Sequence, residues 1–81
     1  ADARIEGVKN RVVPFGTEIT PDFVMKGITA SNQDGDCTSQ VEIQIEDMKN
    51  GKYKVTYLVP NSDGSYISVI SYVTIEEENL I

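Results

Sequence analysis

Asn32, Asp34 and Asp36 stand at every second position ahead of Cys37, and this run is the nearest the chain comes to a metal or nucleophile pattern. Alternating carboxylate and amide oxygens resemble the opening of a calcium loop. A loop of the helix-flanked type needs glycine at its sixth position and a bidentate glutamate at its twelfth. Counted from Asn32, those positions hold Cys37 and Ile43. The run is therefore read as a polar turn around the Asp34-Gly35 pair. Cys37 is the only cysteine and there is no histidine, so neither Ser-His nor Cys-His activation of a nucleophile is available. The acidic residues before Cys37 oppose thiolate formation, and a small buried side chain at a strand start is expected there. No catalytic, cofactor-binding or metal-ligating residue is assigned, no cofactor is expected, and the chain is not read as an enzyme.

Three further groups carry chemistry of a weaker kind. Glu76, Glu77 and Glu78 could attract a basic partner, but a solvated acidic loop is the simpler reading. Lys49, Lys52 and Lys54 read as a charged face that protects a strand edge. Tyr53, Tyr57, Tyr66 and Tyr72 could form a stacking surface; in phase with valine at strand spacing, they read as core residues with wet hydroxyl tips.

The 81 residues bound the chain to one small domain. Its 40% apolar and 25% charged residues are ordinary for a globular fold. With 13 acidic residues against 7 basic, the net charge of -6 repels phosphate backbones and anionic lipid, so nucleic acid and membrane are poor partners. No segment approaches the roughly 20 apolar residues that span a bilayer, and the start ADARIEG has no leader pattern. A lone cysteine and the lack of an Asn-x-Ser/Thr site both point to a reducing compartment.

The elements that carry these residues read as strands. In Gly51–Pro60, Tyr53, Val55, Tyr57 and Val59 share one face, while Lys52, Lys54 and Thr56 share the other. Pro60-Asn61-Ser62-Asp63-Gly64 forms a turn into a second segment, Tyr66 to Ile75, which is apolar on both parities as a central strand is. Val41, Ile43 and Ile45 alternate with Glu42, Gln44 and Glu46, and Asn50-Gly51 joins that strand to the next. Ahead of these, Ala3 to Val8, Arg11 to Pro14 and Asp22 to Ala30 read as shorter strands, with Gly27 marking a bulge in the last. No window has helical period. The pattern predicts an all-β, immunoglobulin-like antiparallel β-sandwich of six or seven short strands, with a small barrel as the alternative. Its expected core is Phe23, Val41, Ile43, Ile45, Tyr53, Val55, Tyr57, Tyr66 and Ile70.

The run Gly51-x-Tyr53-x-Val55-x-Tyr57, a proline-bearing turn and Gly64-x-Tyr66 resembles the back half of a filamin-type immunoglobulin repeat. Asp47-Met48-Lys49-Asn50-Gly51 looks like that family's acidic lead-in, and Ala3–Gly7 and Phe23 match its front half faintly. The resemblance covers about Val41 to Tyr72. The spacing from Tyr57 to Gly64 is one residue longer than in the family, and the stretch between Phe23 and Asn50 is short by about a strand. The family's closing strand is absent, since Ile81 aligns with its first residue. The resemblance implies a single repeat over residues 1–81 that lacks or replaces its last strand, leaving an open edge that recruits another strand. It implies a non-enzymatic repeat of a cytoplasmic, cytoskeleton-associated actin-crosslinking scaffold, serving as rod spacer, dimer element or peptide dock. Its partners would be neighbouring repeats, a second copy or strand-adding peptides, with actin met only through other domains. The alternative is a cell-surface or secreted immunoglobulin-like adhesion repeat.

Overall fold

The computed structural model describes residues 2–78. Asn79, Leu80 and Ile81, on which the expected open end rested, lie outside the described residues. The sandwich has two sheets. One holds β1 (Arg4–Glu6), β3 (Thr29–Asn32) and β4 (Gly35–Asp36) in the order β1-β3-β4. The other holds β2 (Arg11–Val13), β5 (Glu42–Asp47), β6 (Lys52–Pro60) and β7 (Tyr66–Ile75) in the order β2-β7-β6-β5. The pairings are antiparallel except β2 with β7, which is parallel. This is the immunoglobulin-like sandwich that the strand pattern predicts.

The β6–β7 ladder sets the inside and the outside. It pairs Tyr53 with Val73, Val55 with Ser71, Tyr57 with Val69 and Val59 with Ile67. Directly opposed residues share a face, so the buried face of β6 draws the odd-numbered residues of β7 inward. Val55, Tyr57, Val59, Ser71 and Val73 are buried. Tyr66 and Ile70, expected in the core, sit on the outer face at 52% and 47% exposure. The cause is plain: β7 is apolar on both parities, so only its partner strand could choose between them. Phe23, Val41, Ile43, Ile45 and Tyr53 pack against the core from half-buried positions.

The segment Asp22 to Ala30 is not one strand. Pro21–Val24 forms a single helical turn, α1, and only Thr29 onward is extended. Thr20 caps the turn by accepting from the Phe23 N–H at 3.1 Å, and Pro21 supplies a φ already suited to a first helical position. Capping chemistry overrides the alternation of Phe23 to Lys26. The turn drops Val24 into the core, and Ile28 and Ala30 follow it there. A short 3-10 turn at Thr38–Gln40 precedes β5.

Three contacts close the sandwich. The Tyr57 hydroxyl donates to the Val24 carbonyl at 2.8 Å, tying the long sheet to α1. The Asn32 side-chain amide donates to the Pro60 carbonyl at 2.9 Å, and the Ala3 N–H donates to the Asn61 side-chain oxygen at 2.6 Å. Beside the last strand, β2 pairs with β7 along Val73–Ile75.

Val55 is fully buried, so Val55→Ala costs about 1–3 kcal/mol in a denaturant titration, while Lys54→Ala on the outer side leaves the midpoint nearly unchanged. Gly7 has φ +94°, and a Cβ there would overlap the Gly27 carbonyl oxygen, whereas Gly64, at φ +92°, faces open space. Gly64→Ala should cost the left-handed penalty of about 1–2 kcal/mol, and Gly7→Ala distinctly more in the same titration. Burial pushes the Tyr57 phenol above its usual range, against smaller opposing effects from the Ser71 hydrogen bond and the Arg11 charge. A folded-state pKa raised above the unfolded value near 10 leaves stability intact below about pH 10. That contribution is lost as pH climbs through the raised value. Thermal melts from neutral to strongly alkaline pH should show the loss, and Tyr57→Phe should lessen it. At neutral pH the same change costs about 1–3 kcal/mol, because the Val24 carbonyl loses its donor.

Candidate functional site

The polar run at residues 32–36 is consumed by its own turn. Asn32 accepts from the Asp34 N–H at 2.8 Å while its amide holds Pro60, and Asp36 accepts from the Thr38 N–H at 2.9 Å. Asx turns of this kind fold the backbone onto the side-chain oxygen. Asn32 shapes the β3–β4 hairpin, and Asp36 shapes the step into the 3-10 turn. Cys37 is buried beside Ala3, Ala30 and Val59. Its shielding means that a lone thiol says nothing about the redox state outside, so the reducing compartment expected from cysteine count loses its support.

The remaining charged groups are on the surface. Glu76, Glu77 and Glu78 are exposed at the end of β7, where the Glu76 N–H donates to the Val13 carbonyl at 2.8 Å. Lys49 lies in the β5–β6 turn with φ +73°, followed by Asn50 at +56° and Gly51 at +77°. Three successive left-handed residues make that turn, and the Lys49 N–H is held by the Asp47 carboxylate at 2.8 Å. Lys52 lies over the Tyr72 ring, 4.8 Å from its centroid.

The tyrosines do not form one surface. Tyr53 and Tyr57 face the core, while Tyr66 and Tyr72 face outward, split by strand parity. Tyr66 and Tyr72 share the outer face with Leu58, Ile70 and Val12, the last of these 67% exposed on β2. The Glu42 carboxylate, hydrogen-bonded to the Tyr66 phenol, pushes that hydroxyl above its usual range. At the β6–β7 turn, the Ser65 hydroxyl and N–H both donate to Asp63, holding its carboxyl below the usual range.

A basic groove of about 630 Å³ lies where the chain crosses from β1 to β2, lined by Gly7, Val8, Lys9, Arg11, Lys26 and Gly27. The Arg11 guanidinium and Lys26 ammonium stand 5.8 Å and 5.9 Å from the Phe23 ring centroid. Sequence reading missed this grouping, because Lys9 and Lys26 are distant in the chain and only the fold brings them together. The missed signal was Thr20-Pro21-Asp22, a capped helical start that swings Phe23 and Lys26 towards β2. Among the described residues, no helix is long and apolar enough to cross a membrane, and no three His, Cys, Asp or Glu side chains are placed to hold a metal ion.

A family model described as bacterial surface protein, Ig-like domain, matches residues 3–75. No curated protein matches the chain. Among solved structures, one of the CBM51-2 domain in complex with GlcNAc and INT domains, from Clostridium perfringens ZmpB, superposes with TM-score 0.70 at 28% identity. It covers 95% of this chain and 17% of that one. A second ZmpB structure, of the M60 catalytic domain with its CBM51-1 and CBM51-2 domains, gives TM-score 0.69 at 29% identity, covering 91% of this chain and 8% of that one. A lipoprotein from Bacteroides thetaiotaomicron gives TM-score 0.69 at 22% identity, covering 98% and 40%, and shares the fold. The chain thus spans less than half the length of each. These matches overturn the filamin-type resemblance, and with it the actin-crosslinking scaffold and the cytoplasmic, cytoskeletal location. The Gly-x-Tyr hairpin that carried the resemblance reflects what a paired strand needs at a sandwich corner, not one lineage.

Proposed function

This chain belongs to the bacterial surface protein, Ig-like domain family, and on that premise we propose that it is a non-catalytic spacer and interaction repeat of a multidomain cell-surface or extracellular protein. The observation that carries this reading is the route of the chain. Ala3 is held to Asn61 at the β6–β7 turn, while Glu76 is held to Val13 at the opposite end of β7. The 10 residues of β7 separate the two ends, about 33 Å at strand rise. A domain entered at one pole and left at the other holds its neighbours in line and adds its own length to their reach.

The similar structures support this role, since ZmpB carries a catalytic domain and carbohydrate-binding modules in one chain. The partners in this reading are protein surfaces or ligands presented beside such modules, met through the outer face of the long sheet or the basic groove.

Excision of residues 3–76 from the full-length polypeptide tests the reading. Neighbouring domains should keep their activity on small soluble ligands or substrates while losing action on polymer-bound or cell-bound ones. An antibody against this domain should also label intact cells. Loss of soluble activity on excision, or labelling only after lysis, would overturn it.

A further inference from the structure

Among the described residues, half of β7 has no neighbour on one side. The Ile75 N–H donates to the Gly51 carbonyl at 2.7 Å, towards β6, whereas the Glu76 N–H donates to the Val13 carbonyl, towards β2. Backbone groups alternate sides along a strand. Ile67, Val69, Ser71 and Val73 therefore bond to β6, and Tyr66, Ser68, Ile70, Tyr72 and Thr74 turn their N–H and C=O groups the other way. β2 covers only the Val73–Ile75 end, and the Asn10 side-chain oxygen accepts the Tyr72 N–H at 2.9 Å. Beyond that cap, Ile70, Ser68 and Tyr66 face the open side, and all three are exposed. The segment reads YISVIS. It has no charge and no proline, the usual devices that protect an edge, and it is rich in strand-forming residues.

We propose that this edge pairs with the same edge of a second copy, β7 to β7 antiparallel, about a two-fold axis at Ser68. Three features choose that occupant. The first is self-complementarity: with Ser68 opposite Ser68, Ile70 of each copy lies opposite Tyr66 of the other. Both residues stand on the outer face, and aromatic against β-branched is a favourable cross-strand pair. The second is length, since the open edge starts at Tyr66, where β7 begins, and stops at the Asn10 cap. An antiparallel strand of the same limits fills it without meeting β2. The third is charge. In this register the Asp63 turn of the second copy arrives level with Val73, where Arg11 and the nearby Lys9 stand in the basic groove. Two domains of net charge -6 thus meet through an uncharged strand, with opposite charges at each end of it. This pairing is independent of the spacer role and can fail or hold without it.

Sedimentation equilibrium of the 81-residue chain over rising concentration tests the pairing. A monomer–dimer equilibrium is expected. Ser68→Pro deletes an N–H that faces only the open side, so it should leave the monomer fold intact by circular dichroism and abolish the dimer. Ile70→Lys puts a charge into both symmetric pairs and should do the same, which decides the matter if Ser68→Pro fails to fold. Ser68→Cys should cross-link to itself on mild oxidation, since opposed residues of a bonded antiparallel pair have Cα atoms about 5.5 Å apart, within disulfide reach. Gln44→Cys, on the far strand β5, should not. A wild-type chain that stays monomeric at the highest concentration overturns the proposal. So does a dimer that survives both substitutions at positions 68 and 70, or equal cross-linking from position 44.

Discussion

The antiparallel ladder between β6 and β7 is the constraint on which the rest of this domain depends. Its register fixes, at once, which residues of β7 point inward and which main-chain groups remain to bond elsewhere. A slip of one residue would send Ile67, Val69, Val73 and Ile75 to water and bring Ser68, Thr74 and Tyr66 inside. The turn at Asn61–Ser65 opposes such a slip: the Asn61 N–H donates to the Ser65 carbonyl at 2.7 Å, and Gly64 supplies the left-handed residue. At the other end of β6, the three left-handed residues from Lys49 to Gly51 set the pairing with β5.

The second sheet is small and leans on this hairpin. Its three strands hold few residues, and their apolar contribution is Ala30 with Ile5, joined by Ala3, Ile28 and Val24 from the adjoining segments. Polar contacts make up for thin packing. Tyr57 reaches α1, Asn32 reaches Pro60, and Asn61 holds the chain at Ala3. Pro60 suits this arrangement, because its missing N–H lies past the last β5 partner, Glu42 opposite Leu58, and so costs no ladder bond.

The same economy explains the surface. Asn and Asp side chains that would otherwise suggest ligand binding are spent on turns, since a short chain with two sheets needs many reversals and little else can make them. Among the surfaces left for contact are the outer face of the long sheet, the basic groove beside Phe23 and the uncovered half of β7. The last two follow from β2 being only three residues long. A longer β2 would cover the β7 edge and bury the crossing from β1, removing the groove as well.

Much of the fold was legible from residue order. Tyr53, Val55 and Tyr57 alternate with Lys52, Lys54 and Thr56, so their strand and its inner face follow from period alone. The Asn50-Gly51 turn and the β5 stripe follow likewise. Thr20-Pro21-Asp22 held a readable helix start, but the alternation beyond it was the louder signal. Tyr66 and Ile70 could not be placed, because a strand apolar on both parities takes its face from its neighbour, and that neighbour's register is a long-range fact. The family pattern was also not recoverable from the hairpin, whose residues answer to sandwich geometry in general. Composition and period by themselves determined an all-β fold with a β6-centred core. The choice of two sheets over a closed barrel came from the tertiary structure. The pairing of Arg11–Val13 with Val73–Ile75, the meeting of Lys9 with Lys26, and the bare edge at Ser68 were decided by tertiary structure, because each joins residues that local backbone preferences cannot relate.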